Sequence, residues 1–441
     1  MKRVLVISYY FPPSGGPGVQ RVLKFVKYLP DFGWQPTVLT VRADHASYPD
    51  LDPTLSNEVP ASIPVVKTRS WDPYAFYARL QGKSTAETVG VGFIKEGAEG
   101  WIQRLAKWVR ANLFLPDARV GWVPFALHAA KQMMQQEPFD VVLTSGPPHS
   151  THLVGRALKR RFGCQWVVDM RDPWTDISYY KELPHTTPAL RIDAALERSV
   201  LGMADAVISV SDGVGDLLKA KAALHHYETV PNGYDPADIP PADANINKQP
   251  DRFVIAHVGT LTAQQHAPGF VQALAGRAAA DPAWRAQLEL RFVGHVDATI
   301  LVALQEVGLG DAVRLVPYVP HAEAIRHMRE ADLLMVAVQD VQHNEGVTPA
   351  KMFEYLSIGT PLLGLAPPDG DLAAILRETG GGAVFDHHDA AGIAQFMTAQ
   401  VTRVRNEEAP PRVDAEALRN YDRRVLTQRL AALFDDLTNP A

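Results

Sequence analysis

Short apolar runs rich in β-branched residues alternate with longer amphipathic stretches along the chain. Val4–Ser8, Thr37–Val41, Val141–Ser145, Trp166–Met170 and Ala206–Val210 have the near-continuous hydrophobicity of strands covered on both faces, as in a parallel sheet. Between them, Gln20–Leu29, Pro124–Gln136 and Ser150–Arg161 place apolar residues at helical spacing. This alternation predicts an open, doubly wound α/β sheet. A polar, proline-bearing stretch, Asp235–Arg252, breaks it and reads as a linker. The pattern then restarts, with strands expected at Phe253–Val258, Leu288–Val293, Val313–Val316, Leu333–Val336 and Leu362–Leu365. The last segment, Ala415–Leu437, is helical by pattern and is expected to fold back onto the first domain. The predicted organisation is two Rossmann-like domains facing a cleft: residues 1–245 with a returning helix at about 416–441, and residues 246–415.

Composition narrows the classes. The 441 residues are 46% hydrophobic and 21% charged, ordinary for a soluble globular protein. Cys164, the single cysteine, excludes an intramolecular disulfide framework and a cysteine-based zinc cluster, and fits a reducing compartment. The apolar run at Val4–Ile7 is short and passes into Tyr9-Tyr10-Phe11-Pro12-Pro13, so it reads as a first strand rather than a signal peptide. No stretch approaches the ~18 to 20 uninterrupted apolar residues of a spanning helix. A cytoplasmic protein is therefore expected. The net charge of −6 hides an asymmetry: residues 1–200 hold 24 Lys and Arg against 18 Asp and Glu, and the remainder 19 against 31. A basic first half favours an anionic partner, either a membrane surface or a phosphorylated acceptor. Nucleic acid fits poorly, because no long Lys/Arg run exists and the total is acidic.

Chemistry-bearing residues gather where predicted strands end, the ligand-binding edge of such sheets. After the first strand, Gly15, Gly16 and Gly18 could bring backbone N–H groups to an anion at a helix N-terminus. Position 21 is Arg, however, so the G-x-G-x-x-G dinucleotide fingerprint fails. His149 follows the strand at Val141–Ser145 and could donate to a hydroxyl or phosphate, or act structurally. Arg171 and Asp172 end the next strand, either as a clamp for phosphate and sugar or as an internal ion pair. In the second domain, Gly259, Thr260 and Leu261 end a strand where a diphosphate could lie. Asn344-Glu345-Gly346-Val347-Thr348-Pro349 leads into a helix that carries Lys351 in its first turn and Glu354 a turn later. A cation there opposes the helix dipole unless an anion joins it.

These residues resemble the retaining glycosyltransferases of sequence family four, which have the GT-B fold. The likeness runs over nearly the whole chain. It rests on the glycine loop, the Pro231-Asn232-Gly233 turn, Val258-Gly259-Thr260-Leu261, and Glu354 through Gly359-Thr360-Pro361. The family's Glu–seven–Glu motif places its second Glu at Glu354 and its first at Gly346, with Glu345 one residue early. Its usual Arg and Lys after the glycine strand end are replaced by Gln264, Gln265 and His266, which leaves Lys351 to neutralise the diphosphate. The resemblance implies a nucleoside-diphosphate sugar as co-substrate, no metal or other cofactor, and a carbohydrate, lipid-linked or small-molecule acceptor. It implies that Glu354 holds the donor ribose, and that Gly346, Val347 and Thr348 contact phosphate or sugar. Tyr318 and Val319 would lie near the base. His149, Lys351 and Glu345 are the candidate catalytic residues. A bacterial polysaccharide or glycoconjugate is the implied product. A sugar-nucleotide epimerase or hydrolase, and an inert sugar-nucleotide-binding protein, remain the alternative readings.

One further segment concerns a membrane. Trp101, Ile102, Leu105, Trp108, Val109 and Leu113 share a helical face opposed by Arg104, Lys107 and Arg110. Residues 101–113 are either a peripheral contact with the inner membrane face or a helix packed on its own domain.

Overall fold

The computed structural model describes residues 1–48, 51–71, 101–239, 248–249 and 251–439. The predicted linker falls partly outside them. The chain forms two compact units: Met1–Pro231 with Arg423–Ala441, and Asn232–Asp422. Each unit is a parallel sheet with helices on it, and together they are two Rossmann-like α/β domains.

In the first unit the strands are β1 (Lys2–Ser8), β2 (Trp34–Val41), β3 (Val65–Thr68), β4 (Val141–Gly146), β5 (Gln165–Met170), β6 (Ala206–Ser209) and β7 (Tyr227–Thr229). They pair in parallel in the order β3-β2-β1-β4-β5-β6-β7. Alternate residues of β1 supply opposite faces: Leu5 and Ile7 pack into one buried cluster, Val4 and Val6 into the other. The short strands β3 and β7 carry only half-buried or exposed residues, so they lack the apolar run that reveals a central strand.

Two helices pack into the buried cluster on one face of this sheet. The first, α1 (Pro17–Tyr28), starts with Pro17 at a first-turn position and Gly16 at φ +92°, a conformation that favours glycine. The C-terminal helix, Arg423–Thr438, covers one face beside it: its Leu426, Leu430 and Phe434 join the cluster that contains Val22 and Phe25. Phe434 packs edge-on to Trp34 at 5.1 Å, and Asp435 takes a 2.8 Å bond from Lys2.

The second unit repeats the architecture with β8 (Phe253–Val258), β9 (Leu288–Val293), β10 (Val313–Val316), β11 (Leu333–Ala337), β12 (Leu362–Leu365) and β13 (Gly382–Phe385), in the order β10-β9-β8-β11-β12-β13. In each sheet the strand order reverses once, between β1 and β4 and between β8 and β11. Chain leaving the carboxyl ends of those strands frames the crevice where open α/β sheets bind ligands. The loops after β1, β4, β8 and β11 carry most of the sequence candidates, while Arg171 and Asp172 follow β5, and Tyr318 and Val319 follow β10.

Candidate functional site

In the second unit the site is built on Tyr355. It lies in α2 (Lys351–Ile358), and its hydroxyl both accepts from the Val258 N–H at 2.8 Å and donates to the Val258 carbonyl at 3.2 Å. Strand β11 pairs with β8 only at Leu333–Ile255 and Leu334–Ala256, so Val258 has no strand partner on that side. A buried phenol completes the edge instead. That pair of bonds fixes the helix against the strand end and brings its first turn to Gly259.

Lys351 then lies directly over Gly259, where an added Cβ would sit 2.6 Å from its Nζ. Gly259 also has φ +111°, so its missing side chain serves both the backbone turn and the lysine. Burial pushes the Lys351 ammonium down to about 8. Its Nζ is 3.2 Å from His257 Nε2. One turn on, Glu354 is half-buried and its Oε1 is 3.1 Å from His321 Nε2. His321 begins the helix His321–Glu330, just after exposed Tyr318 and part-buried Val319.

The other donor-side candidates divide. The Gly259 N–H is occupied by the Val293 carbonyl at 2.7 Å, and that of Leu261 by His295 at 2.8 Å. The Gly259 amide is therefore tied into the fold rather than turned to a phosphate. Gly346 is buried, Val347 N–H bonds the Asn344 carbonyl at 3.0 Å, and the Thr348 hydroxyl is buried without a partner. An unpartnered buried hydroxyl at a helix start is a ready donor to an incoming oxygen. Glu345 has an exposed side chain, while its carbonyl receives Asp371 N–H at 2.8 Å.

The first unit holds a second group. His149 precedes the helix Ser150–Phe162, whose first turn is tied by Asp117 through Ser150 N and Oγ, each at 2.8 Å. Its ring stacks on Trp174 at 5.0 Å and 7°. Burial first, then His152 and the charge of Arg171, hold His149 well below the ordinary histidine range, so the imidazole is neutral. Both ring nitrogens are buried without partners, and His149 lines a cavity of about 70 Å³ with Tyr180 and His185. A neutral ring offers one donor and one acceptor, suited to a hydroxyl or an ordered water.

Arg171 is placed beside this group but its fork is used internally. Its Nε donates to the Gly146 carbonyl at 3.0 Å, Nη1 to the Gly18 carbonyl at 2.6 Å, and Nη2 to Pro147. It clips the loop after β4 to the start of α1, and a Cβ at Gly18 would fall 2.2 Å from its Nη1. Of the two alternatives, the geometry favours an internal role over a phosphate clamp: backbone carbonyls take three of the five N–H groups of that guanidinium. Asp172, next to it, is pushed up by burial and pulled back by Arg171. Gly15 and Gly16 lie in the turn before α1.

Sequence reasoning missed Tyr355, His257, His321 and Trp174. The first three are buried or half-buried residues inside elements and Trp174 is buried in the loop after β5, all with the ordinary signature of core, and only the third dimension shows what each holds.

Residues 15–233 match the family described as glycosyl transferase 4-like domain. A D-inositol 3-phosphate glycosyltransferase from Geodermatophilus obscurus is 27% identical over 205 residues, 42% of this chain and 44% of that protein. The match thus spans less than half the length of that relative. Among solved structures, sucrose-phosphate synthase from Thermosynechococcus elongatus is similar over 99% of both chains, with TM-score 0.65 and 16% identity. A glycosyltransferase involved in lipopolysaccharide biosynthesis is similar over 98% of this chain and 99% of its own, with TM-score 0.58 and 13% identity. At those identities the structures show the fold.

Proposed function

We propose that this chain, which belongs to the glycosyl transferase 4-like glycosyltransferases and has the GT-B fold, moves a sugar from a nucleoside-diphosphate sugar to an acceptor hydroxyl with retention of anomeric configuration. The observation that carries this reading is the second unit's switch point, where Lys351 hangs over a side-chain-free Gly259 and Glu354 follows one turn later. The cation meets the charge that grows on the departing diphosphate, in a half-buried setting where it counts for more than in water. The carboxylate accepts from the ribose hydroxyls. The Thr348 hydroxyl, buried without a partner, completes the phosphate contacts. His149 and Asp172 belong to the acceptor side, where neutral His149 orients a hydroxyl without taking on charge. A carbohydrate or lipid-linked acceptor, in bacterial polysaccharide or glycoconjugate synthesis, fits this arrangement.

The test has two parts. Thermal shift against UDP, GDP, ADP, TDP and their sugar conjugates identifies the donor, since a ligand at one hundred times Kd adds about 2.7 kcal/mol to the native state. Proton NMR of the first-formed product then reads its anomeric configuration. Retention is expected; inversion would overturn the mechanism, and no shift with any nucleotide would overturn the donor site.

The same reading places the first unit on an anionic membrane face through the helix Trp101–Leu113. Trp101 is 69% and Trp108 42% exposed, with Leu105 and Leu113 also outward, while Ala111 is buried. The helix contains Arg104, Lys107 and Arg110 and no acidic residue. Among the described residues no helix is long and apolar enough to cross a membrane. Paired Trp101→Ser and Trp108→Ser changes are expected to lower co-sedimentation with phosphatidylglycerol vesicles about 10-fold, with catalysis of a soluble acceptor retained. Equal sedimentation of the variant would dismiss the helix as an anchor.

A further inference from the structure

We propose that His257 is a positioning residue that presents a bare Nε2 lone pair to Lys351 and so holds the ammonium over Gly259. The inference rests on Lys351 meeting the donor diphosphate, and it adds the group that makes one lysine sufficient.

His257 belongs to β8 and is 1% exposed. Its Nδ1 is 3.0 Å from the Met335 carbonyl on β11, and its Nε2 is 3.2 Å from Lys351 Nζ and 3.3 Å from the Thr260 carbonyl. Burial, and then the Lys351 charge, push the imidazole down to about 3, so the ring is neutral and carries one proton. That proton has two places to go. On Nε2 it could reach the Thr260 carbonyl at 3.3 Å, but it would face the ammonium hydrogens of Lys351 and leave the Nδ1 lone pair against the Met335 carbonyl oxygen, two mismatches for one long bond. On Nδ1 it donates to Met335, and the Nε2 lone pair accepts from Lys351. The second arrangement satisfies the two shorter contacts, Met335 at 3.0 Å and Lys351 at 3.2 Å, and gives up only the longest, Thr260 at 3.3 Å.

A lysine stem is flexible, and its ammonium prefers water to a half-buried seat. The lone pair of His257 supplies an acceptor there without supplying a negative charge. Glutamate at the same place would bind Lys351 more strongly but would also neutralise it and repel a diphosphate. A neutral acceptor orients the cation and leaves its charge for the ligand. The neighbouring polar residues are otherwise engaged: Gln265 Oε1 accepts from Thr262 N–H at 2.9 Å, and its Nε2 donates to the Ala337 carbonyl at 2.6 Å. The segment Leu261–His266 holds no Arg or Lys. Positioning of Lys351 therefore matters more here than where a second cation stands beside the first.

Two measurements test this. Histidine-selective ¹⁵N labelling with a long-range ¹H–¹⁵N correlation reads the tautomer in the wild-type protein, with His257 assigned by its loss in His257→Gln. Protonated Nδ1 and bare Nε2 are expected; the opposite tautomer would overturn the proposal, whether or not any variant folds. Calorimetric titration with UDP, GDP, ADP and TDP, following the tightest of them, and with the matching nucleoside, reads the consequence. His257→Leu is expected to weaken the diphosphate about 10-fold and leave the nucleoside unchanged, while His257→Gln, which restores an acceptor, stays within about 3-fold of wild type. A folded His257→Leu that binds the diphosphate like wild type sinks the positioning role alone if Lys351→Met still loses binding. Unchanged binding in Lys351→Met as well sinks the donor reading beneath it.

Discussion

Replacing Lys351 by Met is expected to lower kcat/KM by about 10²- to 10³-fold, the scale seen when one preorganised donor to a developing oxyanion is removed. Methionine keeps the length and packing of the stem beside Gly259 while removing only the charge. The loss should appear in kcat as well as KM, because the diphosphate gains charge as it departs and the cation is worth most at that moment. The proton balance gives the prediction a second side. The folded pKa, about 8, lies below the ordinary 10.5, so the fold disfavours the charged ammonium. That cost is present in full below pH 8 and is relieved as pH rises from about 8 towards 10.5. A bound diphosphate reverses the preference. Nucleotide binding at pH 8.5 is therefore expected to take up protons, visible as a buffer-dependent calorimetric enthalpy, and Lys351→Met should abolish the uptake. A methionine variant with wild-type kcat/KM would remove Lys351 from the reaction.

The largest stability effect is expected at Asp169. Its carboxylate is fully buried and receives Arg21 Nε at 3.1 Å, Arg21 Nη2 at 2.9 Å and Ser145 Oγ at 2.8 Å. The remaining arm of Arg21 donates to the Pro231 carbonyl at 2.9 Å. The network ties α1, β4 and β5 to the last residue of the first unit's leading segment. Asp169→Leu leaves a guanidinium buried without its counter-charge, which costs about 3–5 kcal/mol. Arg21→Met together with Asp169→Leu should recover most of that, since an apolar pair of similar size needs no desolvation. The urea midpoint of both variants decides it. A single Asp169→Leu within about 1 kcal/mol of wild type would show that the guanidinium is rescued by water.

That network also explains a departure legible in the sequence. Arg21 stands where a dinucleotide fingerprint would need a small residue, and the structure turns it under the sheet to Asp169. The central strands were readable because they are buried on both faces, and Thr37–Val41 and Phe253–Val258 lie within or coincide with observed strands. Of the edge strands, β10 was read at Val313–Val316, whereas β3, β7 and β13 were not, because half-buried runs of three or four residues leave little pattern. Among site candidates, Lys351 and Glu354 could be found because a loop-to-helix junction announces itself in Gly, Pro and spacing. Their supports could not. His257 and Tyr355 look like filling in a strand and a helix, and their bonds join residues 94 and 97 positions apart. Arg171 shows the converse: a charged residue at a strand's carboxyl end has the signature of a ligand clamp, yet the carbonyls it serves include those at the end of β4 and the start of α1, elsewhere in the sequence.

The C-terminal helix, Arg423–Thr438, belongs to the first unit although the whole second unit lies between it and Pro231. Its Leu426, Leu430 and Phe434 fill that unit's core beside Trp34. On the ribosome, the second unit has all its strands before this helix has been made. The first unit is thus completed only after the second has been made, with Val22, Phe25 and Trp34 lacking their cover until the helix Arg423–Thr438 arrives. Nascent chains stalled before residue 423 should recruit chaperones to the earlier half, and a short deletion at the far end should harm the beginning of the protein more than the middle.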